Sequence, residues 1–294
     1  MTDPILNKLV IIGVGLIGGS FALALRKAGM VKCIVGVGRN KENIQRALNL
    51  GVIDEIADDP ASAVQNADLV LLAMPVGKTA DIMAQIAPHL QSKTIMTDAG
   101  STKHDVIVAA QSYLAKNLKN FVPGHPIAGA EQSGVNASQA NLFHDKHVIL
   151  TPLAETTSQA LNLVIKCWQG CGAKVSQMQA KEHDSVLAAT SHLPHILAFT
   201  LMNHLRATSE NDPDNLLRFA GSGFRDFTRI ASSSPEMWRD ICLANREALL
   251  TQIDAYKNVL MALEKNLEKN DGQALEKAFT EAREIRASWL KNNA

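Results

Sequence analysis

The sequence predicts an α/β N-terminal domain with a mostly parallel sheet, followed by an all-α C-terminal domain. Three observations carry this. From Lys8 to Gly170, short apolar runs alternate with segments of helical spacing, the pattern of strands covered on both faces by crossover helices. From about Gln177 onward no strand pattern recurs, and the periodic segments are all helical. A glycine-rich turn sits where the first strand gives way to the first helix.

The elements follow in order. Lys8 to Ile12 is a β-rich run ending at Gly13, and Leu16 to Ala28 has helical spacing and stops at Gly29. Cys33 to Val37 is a second strand, and Lys41 to Leu50 a helix closed by Gly51. Asp68 to Ala73 and Thr94 to Thr97 read as strands, each followed by a helix, Thr79 to Leu90 and Thr102 to Leu118. Phe121 and Val122 lead into FVPGHPIAGAEQSG, which has too little apolar bulk for a buried element and reads as a close-fitting loop around His125. Val148 to Leu150 is a strand, followed by a helix from about Thr157 to Gly170. In the helical half, breaks fall near Asp212-Pro213 and at Ser232-Ser233-Ser234-Pro235. There Ser234 is a cap and Pro235 a helix start. Further on, Leu249, Ile253, Tyr256, Leu260, Leu263 and Leu267 step by four and three, an apolar seam on a long helix. These patterns divide the chain into residues 1–177 and 178–294.

Composition narrows the classes. With 294 residues and 46% hydrophobic content the chain can bury a full core. Twenty-nine basic residues balance 29 acidic ones, which speaks against a nucleic-acid footprint or a polybasic membrane surface. The four cysteines lack the paired spacing of a zinc site and read as reduced thiols, and no metal is expected. The N-terminus lacks a signal pattern and no run reads as a membrane span, so a cytoplasmic protein is expected.

Gly13-Val14-Gly15-Leu16-Ile17-Gly18 follows a strand and opens a helix. Gly13 permits the tight turn, Gly15 lets backbone approach a pyrophosphate, and Gly18 lets helix and strand pack closely. The N–H groups of Leu16 and Ile17 at the helix start suit phosphate. In this context the motif predicts a Rossmann-type domain that binds a nicotinamide dinucleotide. An NAD site usually ends its second strand with a carboxylate for the ribose 2′-OH. Here the end reads Val37-Gly38-Arg39-Asn40. Arg39 is suited to a 2′-phosphate, so NADP is the expected preference, with NAD possible.

Four further pieces stand out: Asp98-Ala99-Gly100-Ser101-Thr102-Lys103 at a strand end, the His125 segment, Ser191-His192-Leu193-Pro194-His195, and Gly223-Phe224-Arg225-Asp226-Phe227-Thr228-Arg229-Ile230-Ala231 shortly before Trp238. Together with GVGLIGGS they resemble the prephenate/arogenate dehydrogenase family of tyrosine biosynthesis, in order, from about residue 8 to about residue 290. The resemblance implies a Rossmann domain, a helical dimerisation domain and an oxidative decarboxylation of prephenate, of L-arogenate, or of both. It implies His125 as the proton acceptor at the substrate hydroxyl, Ser101 as a second catalytic group, Arg229 as the carboxylate-binding cation and His195 as a substrate-binding histidine. Ser191 and His192 lie beside His195, and helical spacing puts Ser191 and His195 on one face with Asp184 two turns earlier. Pro194 should bend that helix. Glu131 and Asp226 match residues that shape the pocket in relatives, and Trp238 is expected against the substrate. Ser101 is expected to orient the nicotinamide as well as the hydroxyl, with capping of the helix that begins at Thr102 as its alternative reading. The alternatives are an arogenate-specific enzyme, a β-hydroxyacid dehydrogenase using Lys181, and a dinucleotide sensor without catalysis.

Overall fold

The computed structural model describes residues 4–129, 132–208 and 217–292. Packing divides the chain into two compact units, Met1–Arg246 and Glu247–Ala294. The first unit is built on a six-stranded sheet: β1 (Leu6–Ile12), β2 (Val31–Val37), β3 (Glu55–Ile56), β4 (Leu69–Leu72), β5 (Ile95–Asp98) and β6 (Phe121–Val122). The order is β3-β2-β1-β4-β5-β6 and every pairing is parallel. This is the doubly wound arrangement, whose chain reversal falls between β1 and β4 and opens a crevice beyond their C-terminal ends.

The strands are apolar on both faces because both faces are covered. Leu9 and Ile11 of β1 pack with Phe21 and Leu25 of α1 (Leu16–Lys27) and with Val164 and Trp168 of α6 (Ser158–Gly170). Val10 and Ile12 pack on the other side, with Met83 and Ile86 of α4 (Thr79–Ile86) and Val106 and Ala110 of α5 (His104–Tyr113). The Trp168 ring meets Phe21 and Phe143 edge-on, at centroid distances of 4.6 and 5.1 Å. The short helices α2 (Lys41–Asn49) and α3 (Pro60–Ala63) begin under the side-chain caps of Asn40 and Asp59.

A second, three-stranded sheet corrects the expected loop at His125. The segment is strand β7 (Gly124–Pro126), antiparallel to β8 (His147–Leu150), which is parallel to β9 (Lys174–Gln177). It lacks apolar bulk because its order comes from charged neighbours. Asp98, at the end of β5, accepts from the Gly124 N–H at 3.0 Å and the Gly100 N–H at 2.8 Å. It is ion-paired with Lys103, whose Nζ donates to the Gly124 carbonyl at 2.8 Å. Lys103 is fully buried and Asp98 nearly so. The pair therefore bolts β7 to the end of β5.

After Gln177 the described elements of the first unit are helical. Helix α7 (Ala180–Leu187) passes through a π-helical turn, Ala188–His192, into α8 (Leu193–Thr208). The wider turn just ahead of Pro194 is where the expected distortion falls, and it directs His192 into the interior. By length and apolarity alone Ala180–Thr208 would reach across a bilayer, against the expectation that no run reads as a membrane span. Its inward face, however, carries His183, Asp184 and His192, all hydrogen-bonded to protein groups. Helix α9 (Ser222–Thr228) runs into a 3₁₀ turn (Arg229–Ser232), and α10 (Pro235–Ala244) starts under the Ser234 cap as expected. Asp212-Pro213 lies outside the described residues. The long helix foreseen beyond Pro235 is interrupted: Asn245 separates α10 from α11 (Arg246–Glu268), and α12 (Gly272–Asn292) follows.

Breaking the Asp98–Lys103 pair from one side leaves a buried charge unpaired. Lys103→Met should lower stability by about 3–5 kcal/mol in equilibrium urea unfolding. The double variant Asp98→Asn/Lys103→Met should recover part of that loss.

Candidate active site

The crevice between β1 and β4 begins at Gly13. Its φ of +101° is a left-handed conformation, and a Cβ there would lie 2.6 Å from the Ala73 carbonyl carbon and oxygen. A Cβ on Gly18 would lie 2.3 Å from the Gly13 oxygen, so the turn closes only with glycine at both positions. Gly15 faces open space, and α1 starts there with no side-chain cap. The N–H groups of Leu16, Ile17 and Gly18 therefore begin a helix with its positive end uncovered, a cradle that fits a pyrophosphate. At the far side Asn40 caps α2, and Asn43 donates to the Val14 carbonyl at 2.7 Å and accepts from the Val135 N–H at 3.1 Å. Arg39 is exposed just past the end of β2.

The other flank of the crevice holds Ser101 and His125. Ser101 lies in the turn between Asp98 and Lys103, and it does not cap the next helix. That helix starts at His104, and the carboxylate of Asp184 caps it, accepting from Lys103 N–H at 2.9 Å and His104 N–H at 2.8 Å. The same carboxylate lies 2.8 Å from His183 Nδ1, and His183 Nε2 lies 2.9 Å from His125 Nδ1. The tautomers follow from the acceptor. Burial alone would raise the Asp184 carboxyl, but bonds from His183, His104 and Lys103 outweigh it and hold the group below the ordinary carboxylate range. An ionised Asp184 only accepts, so His183 carries its proton on Nδ1. If His183 is singly protonated, its Nε2 accepts from His125 Nδ1–H and His125 Nε2 keeps its lone pair. Burial, then the nearby His183, Lys103 and His192, push His125 well below its ordinary value. Its imidazole is neutral at pH 7, and the residue as a whole is only half-buried.

A third group of side chains forms a wall. Asn245 donates to the Asp184 carbonyl at 2.7 Å, and its amide lies 3.1 Å from His192 Nδ1. That amide is a donor, so His192 accepts at Nδ1 and carries its proton on Nε2. His195 Nδ1 donates to the Ser191 carbonyl at 2.9 Å, and its ring stacks on Trp238 with centroids 3.7 Å apart. Burial lowers the His195 pKa, with the Arg229 charge a further cause. Among the described residues, His192 Nε2 and Trp238 Nε1 are buried donors on this wall without a partner.

The fold thus gathers His125, His192, His195, Ser191 and Trp238, with Arg229 close enough to act on His195. Asp226 is exposed on α9, and Glu131 lies outside the described residues. Sequence reasoning gave no site role to His183, Lys103 or Asn245, and noted Asp184 only for its place on the Ser191–His195 face. Nothing local marks them, because their meaning comes from partners on other elements.

Two family models cover the chain, the prephenate dehydrogenase nucleotide-binding domain over residues 21–177 and the prephenate dehydrogenase dimerization domain over residues 179–281. The chain belongs to the prephenate dehydrogenase family. Within this family it is 39% identical to a cyclohexadienyl dehydrogenase of Zymomonas mobilis over 96% of both chains. It is 39% identical to a prephenate dehydrogenase of Bacillus subtilis, over 95% of this chain and 75% of that one. Among solved structures, the A. aeolicus prephenate dehydrogenase in complex with hydroxyphenyl propionate and NAD+ superposes with a TM-score of 0.89 at 37% identity, covering 96% of this chain and 98% of that one. Family membership and the glycine cradle make the first unit's crevice a nicotinamide dinucleotide site.

The buried histidines set an acid limit on stability. Burial pushes His192 down from 6.5 to about 4, so between those values the unfolded chain binds the proton and the folded chain does not. This contribution is complete above pH 6.5 and is lost as pH falls toward 4, by up to about 3 kcal/mol. Urea midpoints measured from pH 7 to pH 4 should fall across that window. His192→Gln should flatten the slope.

Proposed function

We propose that this chain is a prephenate dehydrogenase that prefers NADP, accepts L-arogenate as a second substrate, and forms 4-hydroxyphenylpyruvate by oxidative decarboxylation of prephenate. The observation that carries this is His125, held neutral with Nε2 as its free acceptor on the crevice flank. The substrate is a cyclohexadienol dianion, with a hydroxyl to deprotonate and two carboxylates to bind.

In this reading His125 Nε2 takes the hydroxyl proton as C4 is oxidised, and returns it to the oxygen as loss of the ring carboxylate makes the ring aromatic. A bound nicotinamide supplies the hydride acceptor. Ser101 orients the same hydroxyl from the turn after β5. Arg229 pairs with a substrate carboxylate. The orphaned N–H groups of His192 and Trp238 suit an oxygen-rich ligand. His195, stacked on Trp238 and bonded to the Ser191 carbonyl, presents Nε2 as a fixed acceptor. Asp226, exposed on α9, is assigned a pocket-shaping role from the family resemblance. Lys181, the alternative acid/base, is exposed.

The NADP preference rests on Arg39 and on the absence of a carboxylate from Val37 to Asn40. We assign residues 1–177 to cofactor binding and 178–294 to substrate binding and dimerisation. The second unit leaves Val259, Leu260, Phe279, Ile285 and Trp289 largely exposed, which supports a homodimer formed through the helical region. The four cysteines are unpaired, as suits a reducing cytoplasm.

Prephenate and L-arogenate, each with NAD and with NADP, should be assayed by following the reduced nicotinamide. Turnover is expected with prephenate and NADP fastest. Binding of cofactor without turnover in any combination would leave a sensor. His125→Asn should cut kcat by roughly 10²–10⁴, while Arg39→Ala should raise the KM for NADP and leave that for NAD unchanged. Because His125 must be neutral, kcat/KM should rise with pH along a limb lying below 6.5, and level off through neutrality.

A further inference from the structure

The mechanism above uses His125 and leaves two buried groups behind it without a role. His183 is fully buried, Asp184 nearly so, and both stand on α7 while His125 stands on β7. Two adjacent ionisable side chains in an interior are costly unless each finds partners. Here every nitrogen and oxygen does: His183 bridges His125 and Asp184, and Asp184 takes two backbone N–H groups as well as the imidazole.

We propose that His183 and Asp184 are positioning residues for His125, forming a relay in which Asp184 fixes the His183 tautomer and His183 thereby fixes that of His125. The proposal rests on His125 being the base. With a neutral His183 whose proton is held on Nδ1 by the carboxylate, the His183–His125 hydrogen bond places a proton on His125 Nδ1. The lone pair then stands on Nε2, the atom away from the relay. Reversing the His183 tautomer would turn His125 the wrong way round and leave it unable to accept.

The relay also handles charge. When Nε2 takes the substrate hydroxyl proton, His125 becomes an imidazolium whose Nδ1–H points at His183 Nε2, with the Asp184 anion one ring further on. Lys103 and His192 face His125 as well, and their charge or burial opposes protonation. Asp98 neutralises Lys103, and Asp105 lies near Asp184. The Asp184 carboxylate is therefore the anion connected to the base through hydrogen bonds. The same carboxylate caps α5 directly after the Ser101 turn. One side chain thus sets both the protonation geometry of His125 and the end of the loop carrying Ser101.

The first test needs no variant at the relay. Nitrogen-15 spectra of histidine-labelled protein at pH 8, with the His125 signals assigned by their loss in His125→Asn, should show His125 protonated on Nδ1. A proton on Nε2 overturns the relay. Kinetics supply the second. His183→Leu should lower kcat roughly 10²–10³-fold, as a wrong-tautomer base does, with substrate KM and cofactor Kd within about threefold of wild type. His183→Gln, whose carbonyl still accepts from His125, should regain about tenfold of that loss. Asp184→Asn should move the acid limb of kcat/KM about one unit lower, because the imidazolium loses its anion. Unchanged kcat and an unmoved limb in His183→Leu, beside an inactive His125→Asn, overturn the relay and leave the base standing. An active His125→Asn overturns both.

Discussion

Lys103 is a charged side chain with no exposed surface, and much of the first unit is arranged around satisfying it. Its ammonium reaches Asp98 and the Gly124 carbonyl, while Asp98 returns to the Gly124 and Gly100 N–H groups. A buried ion pair offsets its own desolvation only with such geometry. Its value here is placement more than net stability. The residue before His125 is fastened through both its backbone N–H and its carbonyl to the C-terminal end of β5, so the imidazole sits on the crevice flank without needing an apolar anchor of its own.

Asp184 repeats the device from the helical side. Its carboxylate closes the N-terminus of α5 and holds His183. Its carbonyl accepts from Asn245, which in turn meets His192. The interruption between α10 and α11 at Asn245 and the π turn at Ala188–His192 both serve this polar cluster. A regular helix at either place would turn Asn245 or His192 away from it.

The site is therefore two charged clamps with histidines between them. Sheet and glycine turn prepare one end for a dinucleotide. Rings from β7, α8 and α10 line the other. Burial lowers the pKa of His125, His192 and His195, so they can accept or donate according to tautomer, which a backbone carbonyl sets for His195 and an amide N–H for His192.

Much of this was legible in the sequence, for local reasons. Alternating apolar runs dictate a parallel sheet covered on both faces. Gly13, Gly15 and Gly18 dictate a turn that other residues cannot close. The Ser234-Pro235 start is a matter of capping and fixed φ. His125 stood out because an imidazole among glycines and prolines has no packing rationale. The two-residue β3 and the polar β9 escaped notice because neither has a pattern of its own. The strand at His125 has the composition of a loop because its order comes from Asp98 and Lys103. Capping by Ser101 was the alternative to its catalytic role, and the carboxylate that does cap the helix lies eighty residues away in the chain. His183 and Asp184 look like an ordinary polar pair in α7. Hydrogen bonds to β7 and α5 give them meaning, and those contacts exist only once the chain has folded.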